Sequence, residues 1–225
     1  MKRSEVNGII ENAKELLHKY KITLPPFGYW TPEDWKEKGA ECREIKDCML
    51  GWDITDFGSK QFEKTGLAIF TLRNGHPSLS QYKEKTYCEK LLIIQEEQIT
   101  PMHFHHYKVE DIINRAGGTL IIEVYNSTDD DALADTDVEI TLDGVRKRFR
   151  AGTIISLESG ASITLPTRVY HQFWAERGKG PLIVGEVSKV NDDTSDNRFL
   201  EAAGRFPEID EDCPPNHYLC TEYPL

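Results

Sequence analysis

Apolar residues recur with two different periods along this chain, and the period changes near residue 65. Over residues 4–20, Ile9, Ile10, Ala13, Leu16, Leu17 and Tyr20 fall at i, i+3, i+4 and i+7 spacings, the stripe of an amphipathic helix. Such a helix packs across the outside of a sheet or against a second subunit. Leu24-Pro25-Pro26-Phe27-Gly28 ends it. Thr31-Pro32-Glu33-Asp34 starts another helix, with a cap, a proline at the first helical position and an acid three residues after the cap. The segment 33–48 continues as a short helix and irregular chain. Beyond residue 65, β-rich runs predict strands over 66–75, 87–94, 102–105, 119–125 and 138–142. Asp143-Gly144 then turns the chain back into an alternating run over 145–150, a hairpin signal. Short strands follow at 153–157, 161–164, 168–175 and 181–190. The tail from Asn191 to Leu225 is polar and proline-bearing. Within it, Phe199-Leu200-Glu201-Ala202-Ala203 predicts about one helical turn, and Asp210-Glu211-Asp212 an exposed acidic stretch.

Short strands separated by turn signals favour a sandwich or barrel. No internal repeat or low-complexity linker divides the chain. The expected organisation is a single mainly β domain over 1–225: helical or irregular decoration over 1–60, a β-barrel over 65–190 and a C-terminal extension over 191–225.

Composition narrows the partners. The 225 residues carry a net charge of −11 and a pI near 5.1, which argues against nucleic acid or an anionic membrane as partner. No run of eighteen apolar residues predicts a transmembrane helix, and no apolar segment follows the basic pair Lys2-Arg3 as in a signal peptide. The five cysteines, Cys42, Cys48, Cys88, Cys213 and Cys220, are odd in number and include no C-x-x-C. They indicate reduced thiols and a cytoplasmic location. The basic residues Arg146, Lys147, Arg148 and Arg150 read as a solvated strand face rather than an anion patch.

The candidate chemistry lies in Pro101-Met102-His103-Phe104-His105-His106-Tyr107-Lys108-Val109-Glu110. On an extended strand, residues i and i+2 share a face. His103 and His105 therefore project together, and four residues suffice to bring Glu110 back beside them. Two imidazoles and a carboxylate leave coordination positions open, as a catalytic divalent metal requires. His106 breaks the alternation and reads as a bystander or a neighbour of the ligands.

A second stretch, Gly160-Ala161-Ser162-Ile163-Thr164-Leu165-Pro166-Thr167-Arg168-Val169-Tyr170-His171, completes a pair that resembles the two motifs of the cupin superfamily. His103, His105, Glu110 and Gly117 match the first motif; Gly160, Pro166 and His171 match the second. The resemblance implies a cupin barrel, that is, a double-stranded β-helix or jelly roll, and adds His171 as fourth metal ligand. Glu97 and Arg168 stand where the motifs usually have glycine, and Ala175 where the second usually ends in asparagine. Mn²⁺, Fe²⁺, Co²⁺, Ni²⁺ and Zn²⁺ all suit such a site. The site alone admits isomerases, decarboxylases, an Fe²⁺ dioxygenase and a non-catalytic sugar-binding protein.

Other stretches are more specific. Residues 51–58 (Gly-Trp-Asp-Ile-Thr-Asp-Phe-Gly), 66–75, 103–118 and 185–193 resemble the D-lyxose isomerase family, most specifically in Lys108-Val109-Glu110-Asp111-Ile112-Ile113-Asn114-Arg115-Ala116-Gly117-Gly118. That resemblance implies a Mn²⁺-preferring aldose–ketose isomerase acting on D-lyxose and D-xylulose, and on D-mannose and D-fructose, through a metal-stabilised cis-enediolate. Glu186 is then the candidate base, the alternative being a surface carboxylate on an edge strand. Lys90 and Lys108 are candidate electrophiles or proton donors, or else surface ion pairs. Asp193 and Arg198 are candidate holders of sugar hydroxyls, or else members of a solvated loop. A hydride shift, which needs no carboxylate base, stays open. A homodimer is the expected assembly, symmetric dimers being the commonest.

Overall fold

The computed structural model describes residues 1–193 and 195–224. Helix α1 (Arg3–Lys19) opens the chain, followed by two short helices, α2 (Pro32–Trp35) and α3 (Arg43–Asp47). The expected cap of α2 is present: Thr31 and Asp34 bond reciprocally in a capping box. Among the described residues, fourteen strands follow: β1 (Gly51–Thr55), β2 (Leu67–Asn74), β3 (Tyr87–Ile94), β4 (Thr100–His105), β5 (Glu110–Gly117), β6 (Leu120–Ser127), β7 (Leu133–Ala134), β8 (Val138–Leu142), β9 (Val145–Phe149), β10 (Thr153–Leu157), β11 (Ser162–Leu165), β12 (Val169–Ala175), β13 (Leu182–Lys189) and β14 (Asn197–Phe199).

The strands form two sheets. The larger runs β1-β2-β3-β13-β5-β11-β8-β9, and the smaller β10-β6-β12-β4-β14 with β7 on β6. This is the mainly β jelly-roll barrel that the sequence predicts. Its main core fills the space between the sheets, with Ile69, Leu92, Ile94, Ile112 and Val184 from one and Ile122, Val124, Ile155 and Phe173 from the other. A second cluster lies on the outer face of the larger sheet, where Val6, Ile10, Ala13 and Leu17 of α1 cover Ala68, Phe70, Leu91, Ile93 and Ile183. Strands β2, β3 and β13 are thus buried on both faces, which is why Leu91 to Ile94 is an unbroken apolar run rather than an alternation. Helix α1 spends its apolar stripe on its own sheet.

Several elements depart from expectation. The pattern predicts no strand at 51–55, 110–117, 133–134 or 197–199. β1 pairs with β2 along its full length, and Trp52 and Ile54 face the helix cluster, so the larger sheet begins before residue 65. The predicted helical turn at 199–203 does not form. Phe199 instead ends β14, which pairs with β4, because the open edge of β4 offers backbone partners that an isolated turn lacks. The hairpin at Asp143-Gly144 forms as expected, with both residues at positive φ, 49° and 79°. β9 is exposed along Val145, Arg146, Lys147 and Arg148, the solvated face expected of the basic run.

Candidate active site

Strand alternation delivers the charged residues. On β3, Lys90 shares the inward face with Leu92 and Ile94. On β13, Glu186 shares it with Leu182 and Val184. Lys90 and Glu186 are direct register partners. On β5, Glu110 lies two residues before inward-facing Ile112. The smaller sheet supplies the imidazoles: His103 of β4 sits directly opposite His171 of β12. The loop 106–109 crosses from one sheet to the other, so Glu110 faces the three histidines across the barrel.

His103, His105, Glu110 and His171 are all buried, and their ligand atoms lie within 4.8 Å of one another. His103 Nδ1 is 2.7 Å from the Pro101 carbonyl and His171 Nδ1 is 3.0 Å from that of Val169. A carbonyl only accepts, so each Nδ1 carries the proton and each Nε2 lone pair points into the cavity. His171 Nε2 approaches Glu110 Oε1 to 3.0 Å and His105 Nε2 approaches it to 3.3 Å. Even so, Glu110 Oε1 and His171 Nε2 are buried without a hydrogen-bond partner. Orphaned acceptors converging in a dry cavity are costly, and a divalent cation could satisfy them. Burial, with the neighbouring His171 and His105, holds the His103 imidazole well below its ordinary pKa. Burial and then Lys108 lower that of His105. Both lowered values favour the neutral ring, the form in which an imidazole can bind a metal. Burial pushes the Glu110 carboxyl up, but Lys108 and His105 outweigh it and hold it well below the usual range.

Lys108 Nζ lies between two carboxylates, 2.7 Å from Glu186 Oε1 and 3.0 Å from Glu110 Oε2. Lys90 Nζ stands 3.4 Å from the same Glu186 oxygen and donates to Asn191 Oδ1 at 2.6 Å. Burial pushes Glu186 up, and the ammonium groups of Lys108 and Lys90 more than offset it, so its pKa is lowered and it is a carboxylate. Burial opposes the charge of Lys108, and Glu110 and Glu186 more than restore it.

The cavity is small, about 50 Å³. Its polar lining includes Lys90, Lys108, Glu186 and Asp193 beside His103, His105 and Glu110, and Phe57, Leu92, Phe173 and Phe199 form apolar walls. The structure thus brings eight of the nine sequence-derived site residues together. Arg198 is the one it does not. On β14, Asn197 and Phe199 face the cavity, and Arg198 points the other way, to Asp131 at 3.5 Å and the Phe199 carbonyl. Its loop reading missed the strand, whose alternation decides the direction. His106 stays outside the ligand set and packs edge-on against Phe104.

Cavity residues that the sequence did not mark include Thr100, Asn197, Phe199 and Arg205. Thr100 lines the wall with its hydroxyl buried and unpartnered, turned inward by a register shift between β4 and β12. Phe199 packs 5.4 Å from the His103 ring. Arg205 arrives from the C-terminal extension. Arg205 has no motif of its own; only the fold brings it beside Asp193.

A jelly roll whose two sheets converge three imidazoles and a carboxylate in one cavity is a cupin. Its resemblance to solved structures agrees: Cellulomonas parahominis L-ribose isomerase with L-ribose superposes with a TM-score of 0.61 at 18% identity, covering 93% of this chain and 98% of that one. The model of the family described as D-lyxose isomerase matches residues 1–223. The D-lyxose/D-mannose isomerase of Serratia proteamaculans is 47% identical over 99% of this chain and 98% of its own length. The protein of the same description from Escherichia coli O157:H7 is 45% identical over the same shares. The chain belongs to the D-lyxose isomerase family, and it is a sugar isomerase.

Proposed function

We propose that the chain interconverts D-lyxose with D-xylulose, and D-mannose with D-fructose, with Mn²⁺ as the resident ion and Glu186 as the proton carrier. The names of its two relatives support the substrates. The observation that carries the mechanism is the pairing of Glu110 and Glu186 through Lys108: one carboxylate belongs to the ligand set, and the other stands beside it, ionised and free of that set. A divalent cation held by His103, His105, Glu110 and His171 supplies positive charge against negative charge developing on neighbouring sugar oxygens.

The chain's own groups do the rest. Glu186 takes the proton from C2 of the aldose and returns it to C1, while the hydroxyl proton shifts from O2 to O1. The product is an isomer, so no oxidant, reductant or co-reactant enters. Lys108 and Lys90 hold Glu186 in place and offer N–H donors to the sugar oxygens as charge builds on them. Asp193 accepts hydrogen bonds from hydroxyls further along the sugar. The aromatic walls keep water from the enediolate. The same reading takes the protein to be a cytoplasmic homodimer; a solution mass twice 25.8 kDa accords with it, and a monomer mass removes the dimer.

The experiment is an isomerisation assay on protein stripped of metal and reloaded with Mn²⁺, given D-lyxose, D-mannose and D-xylose. Ketose formed from D-lyxose and D-mannose only after reloading is the expected result. Ketose formation untouched by exhaustive chelation excludes a metal role. Oxygen uptake with Fe²⁺ and no ketose replaces the isomerase with a dioxygenase. Sugar binding without conversion leaves a binding protein.

A further inference from the structure

Arg205 reaches the cavity from the C-terminal extension, and only 12% of its side chain is exposed. Its guanidinium grips both oxygens of Asp53 on β1, with Nη1 at 3.2 Å and Nη2 closer. Nη2 also donates to Asp193 Oδ2 at 3.1 Å. Asp193 accepts from Asn191 Nδ2 at 2.8 Å and from Asn197 Nδ2 at 3.2 Å. Asn191 Oδ1 in turn accepts from Lys90 Nζ and stands 3.5 Å from Lys108 Nζ. Both lysines meet Glu186. A continuous polar chain therefore runs from the C-terminal extension to the proton-carrying carboxylate.

Two buried carboxylates cannot share this corner unpaired. The planar guanidinium fork is suited to bridging them. Asp53 faces inward from a sheet strand paired with β2 and provides a fixed anchor. Asp193 lies beyond the end of β13, where no ladder holds it. Burial pushes its carboxyl up, and Arg205, with Lys90 and Lys108, more than reverses this. The same stretch of chain covers the cavity: Phe199 packs against His103 and Phe57, and Gly204 N–H donates to the Phe57 carbonyl at 3.0 Å.

We propose that Arg205 is a positioning residue of this site: clamped to Asp53, it holds Asp193 where the sugar hydroxyls bind and ties the C-terminal extension across the metal cavity. This rests on the sugar-isomerase reading above. Arg205 acts through Asp193 rather than on the reacting carbons.

The test compares Mn²⁺-loaded wild type with R205Q, R205K, D193N, D53N and R205Q/D193N, reading kcat, KM for D-lyxose and bound metal. R205Q is expected to raise KM about tenfold or more while kcat changes less than about threefold and the metal content stays full. R205K keeps the charge but lacks the fork, and recovers part of the loss. D53N raises KM in the same direction. Because Arg205 works through Asp193, the double variant is no worse than D193N alone. An unchanged KM in R205Q, or losses that add fully in the double variant, overturns the inference; if R205Q does not fold, an unchanged KM in R205K and D53N overturns it equally. Wild type that neither converts nor binds D-lyxose defeats the isomerase reading, and the inference with it. Wild-type turnover with normal KM in the variants defeats the inference alone.

Discussion

Lys108 is the pivot of the site at the scale of single residues. Its ammonium lies within 3.0 Å of Glu110, a candidate metal ligand, and within 2.7 Å of Glu186, so it separates two acids to which the proposed reaction gives different work. Replacing Glu186 by Gln keeps the shape and removes the proposed base. E186Q should retain metal and lose about 10²–10⁴-fold in kcat; a turnover number near wild type removes Glu186 as proton carrier. Replacing His103, His105, Glu110 or His171 by Ala should do the opposite and empty the site, as metal analysis of the purified variants will show. A pH dependence follows as well. Lys108 and Lys90 lower the Glu186 pKa in the folded state, so its stabilising contribution is complete above the unfolded value of about 4.3 and is lost as pH falls through the lowered folded value. Urea unfolding of metal-free protein between pH 7 and pH 3 should show a smaller acid-side loss for E186Q than for wild type. Equal losses would mean that the ion pairs give nothing. Residues also show how a motif survives substitution. Glu97 and Arg168 occupy the two glycine positions of the cupin motifs, and both keep the left-handed backbone, with φ of 60° and 63°. Arg168 offsets its strain with hydrogen bonds to the Thr128 carbonyl and Asp131, and by stacking over Phe104.

Among the elements, the turn between β5 and β6 decides where the ligand strand can lie. Gly117 has φ of +100°, and a Cβ there would meet the Pro181 carbonyl oxygen at 2.4 Å. Both the dihedral and the backbone neighbour refuse a side chain. Gly117→Ala should cost roughly 1–3 kcal/mol, read as a lower urea midpoint, with Glu110 displaced at the far end of the same strand and metal affinity reduced. Unchanged stability would show that the turn relaxes freely. The pairing of β4 with both β12 and β14 carries the other half of the site. It aligns His103 with His171 and with Phe199. The sequence marks the first partner through Gly160, Pro166 and His171, but three residues of β14 are too short a run for any period to register.

For the whole molecule, two hydrophobic layers share the larger sheet. The inner one surrounds the metal cavity, and the outer one lies under α1. Ile10 is fully buried in the outer layer. Ile10→Ala should therefore lower stability by about 2–4 kcal/mol and leave the metal content and the KM for sugar unchanged. Altered sugar affinity would reveal coupling between the layers. The chain ends are also tied: Arg3, with a side chain only 2% exposed, bridges Glu211 and Glu222, fixing the C-terminal extension beside the start of α1. The amino-acid sequence by itself determined the strand-rich core, the amphipathic helix and the four residues that the structure brings together as a candidate metal site. Each depends on local periodicity or on short motifs of fixed spacing, and such signals survive without knowledge of distant contacts. In the sequence Glu186 and Lys90 are candidates with a surface reading beside each, and neither their inward direction nor their pairing is legible there. Only the tertiary structure decided that α1 covers its own sheet, that β1 belongs to the barrel, that Arg198 faces outward, and that Thr100, Phe199 and Arg205 close the cavity. Those outcomes depend on which strands become neighbours and which side chains then share a buried charge. Asp53 stands 152 residues from Arg205, and burial between folded sheets is what joins it to Arg205 and Asp193.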